Sequence, residues 1–367
     1  MNWKQQLKNS VHEYHELAVK WDVKDDLLSD VTDAFPLQIT PHYLSLIDDK
    51  NPDDPLKKIV APQNAELTNF GVEDTMGEHT DYRVKGLQHR YPETALLIIN
   101  NFCASYCRFC FRKRIFNPLN LEDERINDIE PAIGYIQAHD EISNVLFSGG
   151  DPMVSSTKKI NSILTLLSGI DHLDYVRIGT KVLAFLPQRI YEDESLLAGF
   201  ASFTAKKPLQ LISHFDHAHE LSTETGTAVR ELLKVGVKNY GHVVLLKGIN
   251  DNTTDLVDLF DKMSKMNIAP YYIFHPMPVT GTEHFQITLK EGIDLIREAS
   301  KKLSGLSKQF RYILPHYIGK TEVLGYDSAY FYFKQHQSRI TRNVGRMFKV
   351  SFNEQRSWFN DDEMIFL

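Results

Sequence analysis

Six short apolar runs mark the chain after residue 90: ALLIIN (95–100), NVLFSGG (144–150), YVRIGT (175–180), LQLISHF (209–215), GHVVLL (241–246) and APYYIF (269–274). Each is rich in branched or aromatic residues, which predicts buried parallel strands. Between the runs the apolar period changes. SSTKKINSILTLLSGI places Ile160, Ile163, Leu164 and Leu167 on one helical face, with Gly169 near its end. DNTTDLVDLFDKMSKMN opens on capping residues and repeats Leu256, Leu259, Phe260 and Met263. After a first gap of about 49 residues, the runs recur about every 30 residues, the length of one strand–helix unit. Successive units of this kind imply parallel strands joined by right-handed crossovers. Six are too few for an eight-unit barrel, so the expected fold is α/β, an open partial (β/α)6 barrel. A doubly wound sheet is the alternative, and the two differ in strand order. In both, ligands sit at the carboxyl ends of the strands. The loop after the first run and the SGGDP segment after the second therefore share one face.

The flanks read differently. Residues 1–90 form a mostly helical lead-in with a turn-rich patch, DDKNPDDPLKK. Residues 325–367, rich in aromatic and polar side chains, are expected to form strands or an ordered tail over one end of the barrel. At 42% apolar and 24% charged the chain has the composition of an ordinary globular protein. A formal net charge of −7 gives no reason to expect nucleic-acid or membrane-surface binding. No apolar run approaches the roughly 20 residues that span a bilayer. The start, MNWKQQLKNSVHEYHELAVKWDV, lacks the apolar core of a secretory signal, so the expected location is cytoplasmic.

All three cysteines lie in NFCASYCRFCFRKR (101–114), spaced C-x3-C-x2-C. Clustered thiols in a reducing compartment favour metal binding or redox chemistry over disulfides. Structural zinc takes four ligands, commonly from paired C-x2-C units. Here there is no second pair and no histidine in the fifteen residues after Cys110. A [4Fe–4S] cluster is usually held by four cysteines, and three leave one iron open to a substrate or cofactor. The alternatives are three ordinary buried cysteines, or a zinc knuckle completed by a distant histidine.

C-x3-C-x2-C in the loop after the first strand of such a repeat resembles the radical SAM superfamily. The resemblance implies that Cys103, Cys107 and Cys110 ligate a [4Fe–4S] cluster. The open iron is chelated by S-adenosyl-L-methionine, which one electron cleaves to a 5′-deoxyadenosyl radical. A reductant such as flavodoxin or ferredoxin is then implied. Further segments narrow the family: TPHYLSLID (40–48), HRYPETALLIINNFCASYCRFCFRKR (89–114), LFSGGDP (146–152), VRIGTKVLAFLPQRI (176–190), HFDHAHEL (214–221), VVLLKGINDN (243–252) and PYYIFH (270–275). From about residue 40 to about residue 324 this ordered set resembles lysine 2,3-aminomutase and its relatives, as a divergent member. The division that follows is a helical extension (1–90), a radical SAM partial barrel (91–285) and a C-terminal segment (286–367).

That family also uses pyridoxal 5′-phosphate (PLP), held as an imine by a lysine that follows a glycine late in the chain. Gly319-Lys320-Thr321 matches, which makes Lys320 the candidate catalytic and cofactor-binding lysine; the plain alternative is a solvated loop lysine. Relatives carry a glycine-rich run before that lysine where this chain has His316-Tyr317-Ile318-Gly319. Arg112 is implied to hold the substrate carboxylate, for which its planar fork is suited. Lys113 and Arg114 are read as solvated neighbours. Arg90 resembles a phosphate or carboxylate contact, and Thr94 stands where relatives often have a second arginine. Tyr91 is placed beside the pyridine ring or in plain core. Ser148, Gly149, Gly150 and Asp151 resemble the strand end that meets the S-adenosylmethionine ammonium, with the glycines permitting close approach. His214 matches a histidine near the adenosyl group, and His242 stands where relatives place glutamine; both have a core-histidine alternative.

Lysine-specific relatives neutralise the distant ε-ammonium with two aspartates, and the matching positions here are Met277 and Ile313. An unpaired ammonium there would cost several kcal/mol of desolvation. The expected activity is therefore a PLP-dependent aminomutase acting on an amino acid other than free lysine. A radical SAM enzyme without PLP, acting on another substrate such as a peptidyl side chain, is one alternative. A non-catalytic metal-stabilised binding protein is another. The cysteine-bearing C-terminal segment of some relatives is absent, which makes a dimer built on it doubtful.

Overall fold

The computed structural model describes residues 1–21, 28–116 and 124–367. Among the described residues thirteen strands form one sheet: β1 (Tyr82–Val84), β2 (Leu87–Tyr91), β3 (Thr94–Asn100), β4 (Asn144–Gly149), β5 (Tyr175–Thr180), β6 (Leu209–His214), β7 (Lys238–Val244), β8 (Ile268–Phe274), β9 (Arg311–His316), β10 (Gly319–Tyr326), β11 (Tyr330–Ser338), β12 (Met347–Ser351) and β13 (Ile365–Phe366). The six apolar runs are β3 to β8, and each pairs in parallel with the next. Strand order follows chain order with no reversal. A doubly wound sheet needs a point where the order reverses, so that alternative is excluded and the open barrel stands.

A seventh parallel strand, β9, extends the barrel beyond the six expected. Its sequence, RYILPH, begins with a charge and carries a proline, which hid it. From β9 onward the sheet turns antiparallel through β13. Residues 325–367 therefore supply strands, as expected, but these prolong the sheet at its edge.

The crossover helices bury the faces that their periodicity predicts. Helix Thr157–Ser168 buries Ile160, Ile163, Leu164 and Leu167, and Ser156 caps it by accepting from the Lys159 N–H. Helix Thr253–Lys265 buries Leu256, Leu259, Phe260 and Met263, with Asn252 as cap and Lys262 and Lys265 in its last turn. Each such side chain contributes about 1.5–3 kcal/mol relative to exposure. On the barrel's inner face, polar positions such as Ser148, Arg177, His214 and His242 interrupt these strands, and they line a cavity. The lead-in is mostly short helices packed against the barrel, and it ends in β1 and most of β2, which join the sheet antiparallel to β3. In its turn-rich patch Asp54 caps helix Pro55–Val60 by accepting from the Lys57 N–H. Among the described residues no helix is long and apolar enough to cross a membrane.

Candidate active site

The cysteine loop leaves the end of β3 and is clamped from outside by the N-terminal segment. Gln38 donates to the carbonyls of Cys103 and Ala104 at 3.0 and 3.1 Å, and its own carbonyl accepts from the Tyr106 N–H. The Thr40 N–H donates to Ser105 Oγ at 3.0 Å. Arg108, between two cysteines and fully buried, forms a two-pronged pair with Glu66 at 2.8 and 2.9 Å. It also donates to the carbonyls of Phe35 and Pro36. Charge-assisted forks of this kind fix geometry as well as energy.

On the inner side, the end of β4 presses against the same loop. A Cβ on Gly149 would lie 2.3 Å from the Asn100 carbonyl oxygen, and one on Gly150 would lie 2.3 Å from that of Phe102. Gly149 also has φ of +118°. The glycines of SGGDP are thus required where this segment crosses the cysteine loop, and both also line the cavity. Asp151 is likewise engaged. Its carboxylate accepts from Thr180 Oγ1 (2.7 and 2.8 Å), the Lys181 N–H (2.8 Å) and the Met153 N–H (3.0 Å), so it organises the loop after β4 and has no free oxygen reserved for an ammonium.

One cavity of about 380 Å³ is lined by every residue singled out for the site: Cys103, Cys107, Cys110, Arg112, Arg90, Ser148, Gly149, Gly150, Asp151, His214, His242 and Lys320. The residual exposure of the three partly buried thiols opens on this cavity. Burial pushes all three up from the usual thiol range. Cys103 also feels the charge of Asp151 and of both other sulfurs. Among the described residues, the trio of His, Cys, Asp or Glu ligand atoms lying within 4.8 Å of one another is His89, His139 and Glu141, outside this cavity. At least one pair of the cysteine sulfurs is therefore more than 4.8 Å apart, against about 3.8 Å between sulfur ligands of one tetrahedral zinc. Three thiols that open on one cavity can serve as ligands of a multi-iron cluster.

Arg112 is held before any substrate arrives. Its Nε and Nη2 grip Glu78 at 3.0 and 2.6 Å, and its Nη1 donates to Ser148 Oγ at 2.6 Å. Arg114 joins the same carboxylate at 2.7 Å and also pairs with Glu124. Burial alone would raise Glu78, but Arg112, Arg114 and Arg90 hold it down at about 2. Lys113 pairs with Glu66 at 2.8 Å. Lys113 and Arg114 are thus largely buried ion-pair partners, which corrects their reading as solvated neighbours. A buried cation requires a carboxylate, and here that acid lies more than thirty residues away in the chain.

His214 sits 2.8 Å from Asp216 Oδ1, and its ring centroid is 4.6 Å from that of His242. Burial, then His214, pushes His242 well below the usual range, so it is a neutral imidazole. Asp216 in turn accepts from Lys181 Nζ at 2.7 Å, and Lys181 reaches Glu220 at 2.8 Å. Arg90 donates to Asp81 at 2.7 Å and to the Met76 carbonyl at 2.8 Å.

Lys320 is no solvated loop residue. It lies on β10, and Gly319 precedes it because a Cβ there would meet the Gln337 carbonyl oxygen at 2.0 Å. Its Nζ donates to Gln337 Oε1 at 2.9 Å and lies 5.7 and 5.4 Å from the Tyr91 and Tyr272 ring centroids. Burial, then Arg177 and Arg90, lowers its ammonium to about 7. Half of it is then a neutral, nucleophilic amine at neutral pH. Met277 also lines the cavity, whereas Ile313 is fully buried outside the lining and Pro315, two residues on, takes that place.

Comparison with known proteins agrees with this geometry. No protein-family model matches the chain. It is similar to a protein named "Putative L-lysine 2,3-aminomutase" from Aquifex aeolicus, with 38% identity over 91% of this chain and 89% of that one. The chain belongs to the lysine 2,3-aminomutase family of radical SAM enzymes. The L-lysine 2,3-aminomutase of Clostridium subterminale is 32% identical over 93% of this chain and 82% of its own length. The glutamate 2,3-aminomutase of Clostridioides difficile is also 32% identical, over 88% and 76%. A solved radical SAM methyltransferase from Sphaerobacter thermophilus, at TM-score 0.40 and 14% identity over 62% of this chain and 68% of that one, is too remote to argue from.

The family's members include both a lysine and a glutamate aminomutase by name, so membership makes this chain a radical SAM isomerase without choosing its substrate. Sequence reasoning missed Glu78, Arg177 and Gln337. Glu78 and Gln337 sit in patternless segments. Arg177 did leave a signal, a charge at an inward position of the otherwise apolar strand YVRIGT.

Proposed function

We propose that this chain is a PLP-dependent 2,3-aminomutase acting on an amino acid other than free lysine. The observation that carries the reading is Lys320: a half-buried amine lowered to about 7 that shares one cavity with the three cysteines. Cys103, Cys107 and Cys110 would hold the iron–sulfur cluster, and the loop end at Ser148–Gly150, with His214 and neutral His242, would border S-adenosylmethionine. Lys320, Arg90 and Tyr91 would hold PLP. Bound there, these groups supply a carbon radical, fed by a one-electron donor, and an electron sink that allows nitrogen to migrate. The chain's own part is placement. Glu78 and Ser148 orient Arg112 toward a substrate carboxylate, and the apolar walls exclude water from the radical.

The lining also argues for the substrate class. Among the described residues its two carboxylates are Glu78, gripped by Arg112 and Arg114, and Asp151, engaged by hydroxyl and backbone donors. A side-chain ammonium would find neither free, and it would meet Met277 and Pro315 instead. The test is anaerobic reconstitution with iron, sulfide and PLP, followed by reduction with S-adenosylmethionine and a panel of amino acids, read by mass spectrometry of β-amino acids. We expect turnover of an amino acid with a neutral or acidic side chain and little β-lysine. Efficient formation of β-lysine would refute the substrate assignment. Failure to acquire the visible absorbance of bound PLP, or its persistence in Lys320→Ala, would refute the cofactor assignment and favour a PLP-free radical SAM enzyme.

A further inference from the structure

Among the described residues, the cavity floor carries more positive charge than its carboxylates neutralise. Arg90 and Arg339 share a single carboxylate, Asp81. Lys320 donates only to the neutral Gln337 oxygen, and Glu93, whose charge it feels, is itself bonded to Gln337 Nε2 at 2.8 Å. Arg177 is the extreme case. Its Nη2 donates to Asn144 Oδ1 and to Thr94 Oγ1, both neutral, and its Nε is buried with no partner. Among the described residues it forms no ion pair, yet it lines the cavity beside Thr94. Arg177 is half-buried, faces the cavity and meets no counter-anion among the described residues. It is therefore open to an anion that arrives from outside, and a guanidinium fork matches phosphate oxygens.

We propose that Arg177, oriented by Asn144 and Thr94, is the principal anchor for the phosphate of the PLP bound by Lys320. This deepens the proposed function and rests on its PLP assignment. A phosphate dianion at Arg177 and Arg90 would balance the excess charge on the floor. It would also tether the ring so that its aldehyde is presented to the Lys320 amine. The residue acts by positioning and takes no part in bond making.

The test is equilibrium titration of the purified chain with PLP and, separately, with pyridoxal, which lacks the phosphate. Wild type is compared with Arg177→Met and Arg177→Lys, and thermal melting of each unliganded protein is recorded. We expect Arg177→Met to lose about tenfold to a hundredfold in affinity for PLP and to leave pyridoxal affinity unchanged. Arg177→Lys should recover part of the loss. Unliganded Arg177→Met should melt no lower than wild type, because it removes an unbalanced charge. A PLP affinity within twofold of wild type would overturn the proposal, as would equal losses for PLP and pyridoxal, or a lowered melting temperature that accounts for both. If wild type takes up no PLP, the PLP assignment fails by itself. Stabilisation of wild type but not Arg177→Met by inorganic phosphate would then preserve the phosphate anchor, and its absence would end it.

Discussion

Replacing Lys320 with methionine tests the electrostatics of the site without any cofactor. The amine is lowered from 10.5 to about 7, first by burial and then by Arg177 and Arg90. Each tenfold in proton affinity is about 1.4 kcal/mol, so holding the charged form inside the fold costs on the order of 5 kcal/mol at most. Water in the cavity screens part of this, and about 2 kcal/mol is the effect expected in denaturation. Methionine keeps the length and apolar stem and removes the charge. The folded amine binds its proton more weakly than the unfolded one, so between about 7 and 10.5 the unfolded chain carries more protons. Wild-type stability should therefore rise with pH across that window, and below about 7 the full cost stands. The assay is urea unfolding of the metal-free, PLP-free protein at several pH values from 6 to about 10. Lys320→Met should be more stable than wild type at neutral pH, and the advantage should shrink as pH rises. A variant less stable at neutral pH, or a difference that does not change with pH, would refute the claim that Lys320 is a half-buried amine held near neutrality.

Three further perturbations probe the frame around it. Glu78→Gln should cost about 3–5 kcal/mol by stranding Arg112, whereas Arg114 keeps Glu124. Because Glu78 lies below its usual 4.5, its contribution is present above that pH and lost as pH falls toward about 2, so acid unfolding followed by circular dichroism should be less steep in the variant. Gly150→Ala, whose Cβ would meet the Phe102 oxygen at 2.3 Å, should lower the melting temperature by an amount equivalent to about 1–3 kcal/mol. Gly134→Ala, with nothing within 4 Å in helix Glu130–Gln137, should instead raise stability by about 0.5–1 kcal/mol. Arg108→Met leaves every cysteine in place but unties the loop from Glu66 and Phe35, so it should reduce the iron retained per chain after reconstitution; iron content equal to wild type would show that the clamp is dispensable.

Much of the fold was legible because burial repeats locally. The six runs and the helical faces between them are periodic over four to eight residues, and β3 to β8 follow them. The cysteine cluster was legible because its spacing lies within one loop. What stayed hidden is pairing across distance. Glu78 explains Arg112 and Arg114, and Glu66 explains Arg108 and Lys113, yet neither acid stands in any pattern relating it to its partner. The glycines of SGGDP were legible as sites of close approach. What approaches them, the Asn100 and Phe102 carbonyls, follows only from the crossing of two loops. Ile313 was singled out by its match to relatives, but it is fully buried outside the lining, and Pro315 lines the cavity.

The same unbalanced groups link folding to cofactor loading. Burial pushes Cys103, Cys107 and Cys110 above the usual thiol range, so the metal-free chain keeps them protonated at neutral pH. Lys320 is disfavoured as a cation, and among the described residues Arg177 meets no counter-anion. Iron takes thiolates and phosphate takes guanidinium, so each ligand relieves a cost already present in the unliganded fold. A ligand that binds only the folded state raises its stability in proportion to the logarithm of its saturation. Cluster assembly should therefore release protons and raise the melting temperature, and acidification should speed loss of iron to a chelator because protons compete for the same sulfurs. PLP added to the loaded protein should raise the melting temperature further in wild type and much less in Arg177→Met. Equal melting temperatures for metal-free and reconstituted protein would mean that the three thiols are structural cysteines and that the cavity was never built around iron.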